Sequence, residues 1–271
     1  MKITLFFTLL LASILAAPLR ATDTPEGADA FFHQMRNANI VVLATLKAQD
    51  AERFTFVLNK SLLGAVDAQI VLPRFSMELA NGVLPRVGGS YLLFLKQRKI
   101  LGRRGIVGWA MGGYSIQEVK GAEFDLLSDV VADYVRYKTD ANGLKQALMK
   151  HSAQKIGYVQ YSTISDLDTR GLLNAKDAGL LAERLKGGHI IDARAKLSVV
   201  NKIKHFNLKQ FAPLLESMIM NTNENISVRT SSLRGLQQFG DQAALARVAP
   251  VMVDGMSGRL RRTTIDIVKP R

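Results

Sequence analysis

Cysteine is absent from all 271 residues. That excludes disulfides, a thiolate nucleophile, thiol redox chemistry, any cysteine-ligated zinc, and a lipid anchor on cysteine. Histidine is scarce, with four residues, His33, His151, His189 and His205, dispersed along the chain. None forms H-E-x-x-H or an i, i+4 pair, so no histidine-based metal site is legible. No G-x-S-x-G elbow occurs; Ser115 lacks the second glycine and sits in a strand pattern. The glycine-rich run Gly102 to Gly113 has neither G-x-x-x-x-G-K-[ST] nor G-x-G-x-x-G, and strand patterns flank it where a helix should stand. Its glycines read as tight turns of a hairpin. No cofactor is expected.

Acid is under-represented: 23 Asp and Glu face 36 Lys and Arg, for a net charge of +13. The apolar run Ile3 to Ala17 comes after Lys2, meets Pro18 and precedes Leu19-Arg20-Ala21, the pattern of a cleavable secretory leader over residues 1–21. It falls short of the roughly twenty residues a spanning helix needs. The expectation is a periplasmic or secreted protein, cut near Ala21. Loss of Lys2 and Arg20 would lower the net charge from +13 to +11. The basic balance suits an anionic membrane surface, lipid head groups, polysaccharide or an acidic protein. Nucleic acid fits the charge but not the compartment.

Beyond the leader, the texture changes near residue 121, from a β-rich domain over 22–121 to linking helices over 122–164, and from 165 the helices become regular, a helical array over 165–271. Ala28 to Asn37 reads as a short helix packed on the β-rich part. Ile40 to Leu46 is an apolar, partly β-branched run suited to a buried strand. Phe54 to Leu58 alternates; Ile70 to Leu72, Tyr91 to Leu95, Ile106 to Trp109 and Tyr114 to Val119 complete five or six short strands. The fold class expected is α+β: a small antiparallel barrel followed by stacked helix pairs.

Helical spacing begins at Phe124, Leu127, Val130, Val131, Tyr134 and Val135, with a break expected at Asn142-Gly143. Leu197, Val200, Ile203 and Phe206 stand 33 residues before Thr230, Leu233, Leu236 and Phe239. A further 32 residues bring Arg229, Leu233 and Leu236 onto Arg261, Ile265 and Val268. Amphipathic helices precede each copy, at Ala178 to Leu185, Phe211 to Met220 and Leu245 to Val253. Such pairs bury their apolar faces only by stacking.

On Val228-Arg229, Leu233, Leu236 and Phe239-Gly240-Asp241, residues 165–271 resemble HEAT-type helical repeats. Lys196 stands where Arg229 and Arg261 sit, a departure from that pattern. The resemblance implies a short α-solenoid whose face binds a protein. Ala38 to Val42, Phe56 to Leu58 with Leu62-Leu63-Gly64, Ile70 to Leu72, Val87 to Phe94 and Gly113 to Ile116 are similar in order to netrin-like (tissue-inhibitor-of-metalloproteinase-like) OB-fold domains. Members of that family commonly carry disulfides, which this chain cannot form.

Three sets of charges remain. Lys96, Arg98, Lys99, Arg103 and Arg104 form a basic cluster without an acid, at the tip of the hairpin between strands ending at Leu95 and starting at Ile106. Lys202, Lys204 and Lys209 lie at a repeat junction. Asp125, Asp129 and Asp133 are spaced i, i+4 and read as an acidic helix face, while Asp166, Asp168 and Asp192 read as helix caps. The functional expectation is a non-enzymatic exported interaction scaffold that binds another exported or envelope protein through the helical array. An alternative is a binder of anionic envelope lipid or polysaccharide through the 96–104 hairpin. A hydrolase with an unrecognised site is the third.

Overall fold

The computed structural model describes residues 31–74, 85–100, 103–110 and 115–254. Residues 1–21, expected as a leader, Arg261 to Val268, expected as a third repeat copy, and Gly112-Gly113, expected as a turn, lie outside the described residues.

Helix α1 (Phe31–Asn37) leads into strands β1 (Ile40–Gln49), β2 (Arg53–Leu63), β3 (Gln69–Pro73), β4 (Ser90–Ile100), β5 (Arg103–Trp109) and β6 (Ile116–Glu118). All pairings are antiparallel, in the order β3-β2-β1-β4-β5, with β6 also on β4. The two ends approach one another, and the Trp109 indole donates to the Pro73 carbonyl at 2.9 Å, so the sheet is a nearly closed barrel. Three register shifts along β1 and β2 supply the curvature that closure needs.

Alternation decides what fills it. Val42, Ala44 and Leu46 of β1, Phe54 and Phe56 of β2, and Leu93 and Leu95 of β4 point into the barrel. The opposite faces of β1 and β4 (Val41, Leu43, Leu92, Phe94) are buried against α1 and the helices. Covered on both sides, these two strands read as unbroken apolar runs. Gly64 ends β2 at φ +72°, where a Cβ would stand 2.6 Å from the Asn39 carbonyl oxygen. Only glycine fits there.

Eight further α-helices follow: α2 (Phe124–Tyr137), α3 (Ala141–His151), α4 (Gly157–Thr169), α5 (Ala175–Lys186), α6 (Ala193–His205), α7 (Ala212–Met220), α8 (Ile226–Phe239) and α9 (Gln242–Asp254). They pair as α3 with α4, α5 with α6 and α7 with α8, and the second members α4, α6 and α8 pack in series. Their starts repeat. Asp192 caps α6 through the amides of Arg194 and Ala195, and Asn225 caps α8 through that of Ser227. Left-handed residues end the same two helices, Asn207 at φ 52° and Gly240 at φ 73°.

One core runs from Phe31 through Leu92, Val130 and Ile164 to Met252. Helix α1 is the wedge that joins barrel to helices. Phe31 meets Phe94 edge-on at 5.5 Å, and Phe32 stacks on Tyr134 at 4.8 Å.

Three expectations change. The break expected at Asn142-Gly143 falls earlier, because Asp140 accepts from the Asn142 amide and starts α3 at Ala141. Helix α4 runs unbroken through residues 164 and 165, where the regular helical array is expected to start. Asp166 and Asp168 are no caps, since both lie in the last turn of α4.

Candidate functional site

The basic cluster does not form a loop. Strand β4 continues to Ile100 and β5 starts at Arg103, so the charges lie on paired strands. The extension is polar in sequence, and it pairs in register with β5. Lys99 stands opposite Arg104 and Ile100 opposite Arg103, with a bulge between Gln97 and Lys99. Lys96 is exposed. For Arg98, Lys99, Arg103 and Arg104 only the backbone lies within the described residues.

Lys202 and Lys204, candidates for binding an anion or a partner, are engaged within the fold. Lys202 of α6 pairs with Asp168 of α4. Lys204 donates to Ser231 at 2.9 Å and Asn201 at 3.1 Å, and burial, with Arg234 nearby, holds its ammonium below the usual lysine range. Both tie the series α4, α6, α8 together.

Asp166 has a different role from the cap expected of it. It is 4% exposed. One carboxylate oxygen receives Arg36 of α1, and the other receives Arg170 Nε at 2.7 Å. Arg170 Nη2 also donates to the Tyr134 hydroxyl at 3.0 Å. Sequence pattern could not reveal this set, because Arg36 is 130 positions from its partner.

Asp133 leaves the acidic face expected for Asp125, Asp129 and Asp133. It receives Lys150 at 3.0 Å and His151 Nε2 at 2.8 Å. Burial raises its pKa, but these hydrogen bonds outweigh that and hold it below the usual carboxylate range. His151 is 1% exposed, and burial, reinforced by Lys150, pushes its pKa down despite Asp133. Asp125 and Asp129 are exposed.

Two clefts open beside these elements. One, of about 320 Å³, lies between the α5–α6 and α7–α8 connections, lined by Leu185, Ile190, Ile191, Lys196, Met218 and Glu224. Lys196 and Glu224 form an ion pair of 2.7 Å there. Ile191 is 50% exposed, and Met220 and Ile226, which end α7 and start α8, are 46% and 37% exposed. The second, of about 310 Å³, lies where α1 and the end of β2 meet α2. Neither is lined by histidine.

Among the described residues no three His, Asp or Glu side chains are grouped to hold a metal ion, and no helix is long and apolar enough to cross a membrane. No family model, no curated protein and no solved structure matches the chain.

Proposed function

We propose that the protein is an exported, non-enzymatic binding scaffold: an OB-like barrel joined to a short solenoid of HEAT-like helix pairs that engages another exported or envelope protein. The observation that carries this reading is the serial packing of α4, α6 and α8 with caps that recur at the repeat distance. Serial packing sets the α5–α6 and α7–α8 connections side by side along one edge, with the 320 Å³ cleft between them. Ile191 lines that cleft, and the exposed Met220 and Ile226 flank the α7–α8 connection on its other side. Large apolar side chains clustered beside a cleft are what a protein interface uses as anchors. The barrel's strand order and closure are compatible with the OB-fold.

The test is recovery of partners from the native envelope fraction by the wild type and by Ile191→Asp and Met220→Asp. Both positions are exposed, so the variants should fold. Loss of the same protein from both variants, with retention by Val71→Asp on the barrel, is the expected result. Equal recovery by all four, or no specific partner alongside turnover of some substrate, would overturn the reading.

The second reading, attachment to anionic envelope lipid or polysaccharide through residues 96–104, draws support from the β4–β5 register. Like charges directly opposite on paired strands cost stability. Lys99 opposite Arg104 is such a pair, and an anionic surface would relieve it.

A further inference from the structure

The cleft at the junction of barrel and helices has a composition that neither proposed interaction uses. Its polar side is Arg36, Arg170, Lys138, Tyr134 and Thr139. Its apolar side comes from Met35, Leu63 and Val135, supplied by α1, β2 and α2. Three cations face it, against the single carboxylate of Asp166 behind two of them. Lys138 makes no ion pair among the described residues. Arg170 commits Nε and Nη2 to Asp166 and Tyr134, which leaves Nη1.

The two guanidinium groups are held on a buried carboxylate, so they are fixed before any ligand arrives. Asp166 is nearly inaccessible, whereas the Arg36 and Arg170 side chains keep 39% and 29% of their surface open. A carboxylate that orients two arginines while leaving them net cationic differs from a closed structural ion pair. It presents planar donors suited to carboxylate or phosphate oxygens. The rigid aromatic stack of Phe32 on Tyr134 and the Arg170–Tyr134 hydrogen bond fix the wall on which those donors sit. At about 310 Å³ the space matches the lower end of small-molecule sites, and its mixed lining matches their usual chemistry.

We infer that this cleft binds a small organic anion, a carboxylate or phosphate monoester carried on a compact apolar body. The anionic group meets Arg36, Arg170 and Lys138, and the apolar body lies against Met35, Leu63 and Val135. The cleft shares no residue with the helical-array edge: its ligand and the scaffold's partner are recognised by different side chains, so either can fail alone.

Titration calorimetry on the full chain, with four probes, tests it. Benzoate and phenyl phosphate should bind saturably at one site. Benzamide, which lacks the charge, and inorganic phosphate, which lacks the apolar body, should each bind about tenfold or more weakly. Lys138→Glu, at an exposed position outside the Arg36–Asp166–Arg170 set, should weaken both anionic probes about tenfold while the protein keeps its melting temperature. Binding of benzamide equal to benzoate, of phosphate equal to phenyl phosphate, of none of the probes, or without effect of Lys138→Glu, would each overturn the assignment.

Discussion

Removing an arginine from water costs several kcal/mol unless its donors find acceptors. Arg229 is 5% exposed and finds two, the Ile219 carbonyl at 3.0 Å and the Val251 carbonyl at 3.2 Å. It thereby ties α8 to the last turns of α7 and α9. Arg229→Met should lower unfolding free energy by about 2–4 kcal/mol, because both carbonyls lose a charged donor. Chemical denaturation measures this; a change under about 0.5 kcal/mol, the range of surface substitutions, would show the contacts to be incidental. His151 carries a pH dependence of definite sign. Its folded pKa is depressed, so the unfolded chain takes up a proton first as pH falls. Stability is complete above about pH 6.5, the unfolded value, and declines as pH drops toward the folded pKa. Asp133, also depressed, adds a second loss at lower pH, starting near about 4. His33, also lowered by burial and by Arg36, contributes to the first decline, so His151→Gln should reduce that decline and keep the second, as denaturation midpoints at pH 7.5, 5.5 and 3.5 would reveal. An unchanged slope between pH 7.5 and 5.5 would place that titration elsewhere.

Among the elements, what the sequence discloses depends on the range of the forces involved. Strands β1 and β4 are legible because burial on both faces leaves an uninterrupted apolar run. Helices α6 and α8 are legible because caps and left-handed ends are local chemistry, set by Asp192, Asn225, Asn207 and Gly240. Residues Lys96 to Ile100 are not, because their strand state rests on pairing with Arg103 to Gly108. Asp166 escapes for a related reason: capping rules see the next four residues, and its partner Arg36 comes from another helix. The β4–β5 hairpin also yields a test in which stability and binding move oppositely. Replacing Lys99 and Arg104 by glutamine removes like charges from partner positions in the register, which should add about 0.2–1 kcal/mol. The same change should weaken binding to phosphatidylglycerol vesicles and flatten its salt dependence. Unchanged vesicle binding would exclude the hairpin as the contact with anionic surfaces.

At the scale of the whole molecule, one hydrophobic core links α1, the outer faces of β1 and β4, and the helices through Met252. Barrel and helical array are therefore a single body, with the small-anion cleft at their junction and the apolar edge some way along the array. The pattern of repeats and the absence of cysteine favour the proposed envelope scaffold; the residues they nominate are not those of the junction cleft. Lys202 and Lys204 brace helices, while Arg36, Lys138 and Arg170, spread through the chain, converge on a cleft. The measurement that bears most directly on the scaffold is photo-crosslinking in the native cell envelope, with a benzophenone side chain placed singly at Ile191, Met220, Ile226 and Val71. The array positions should each give one discrete adduct with the same protein, and Val71 on the barrel should give none. No adduct from the array edge, or the same adducts from Val71, would contradict the claim that this edge is where the protein meets its partner.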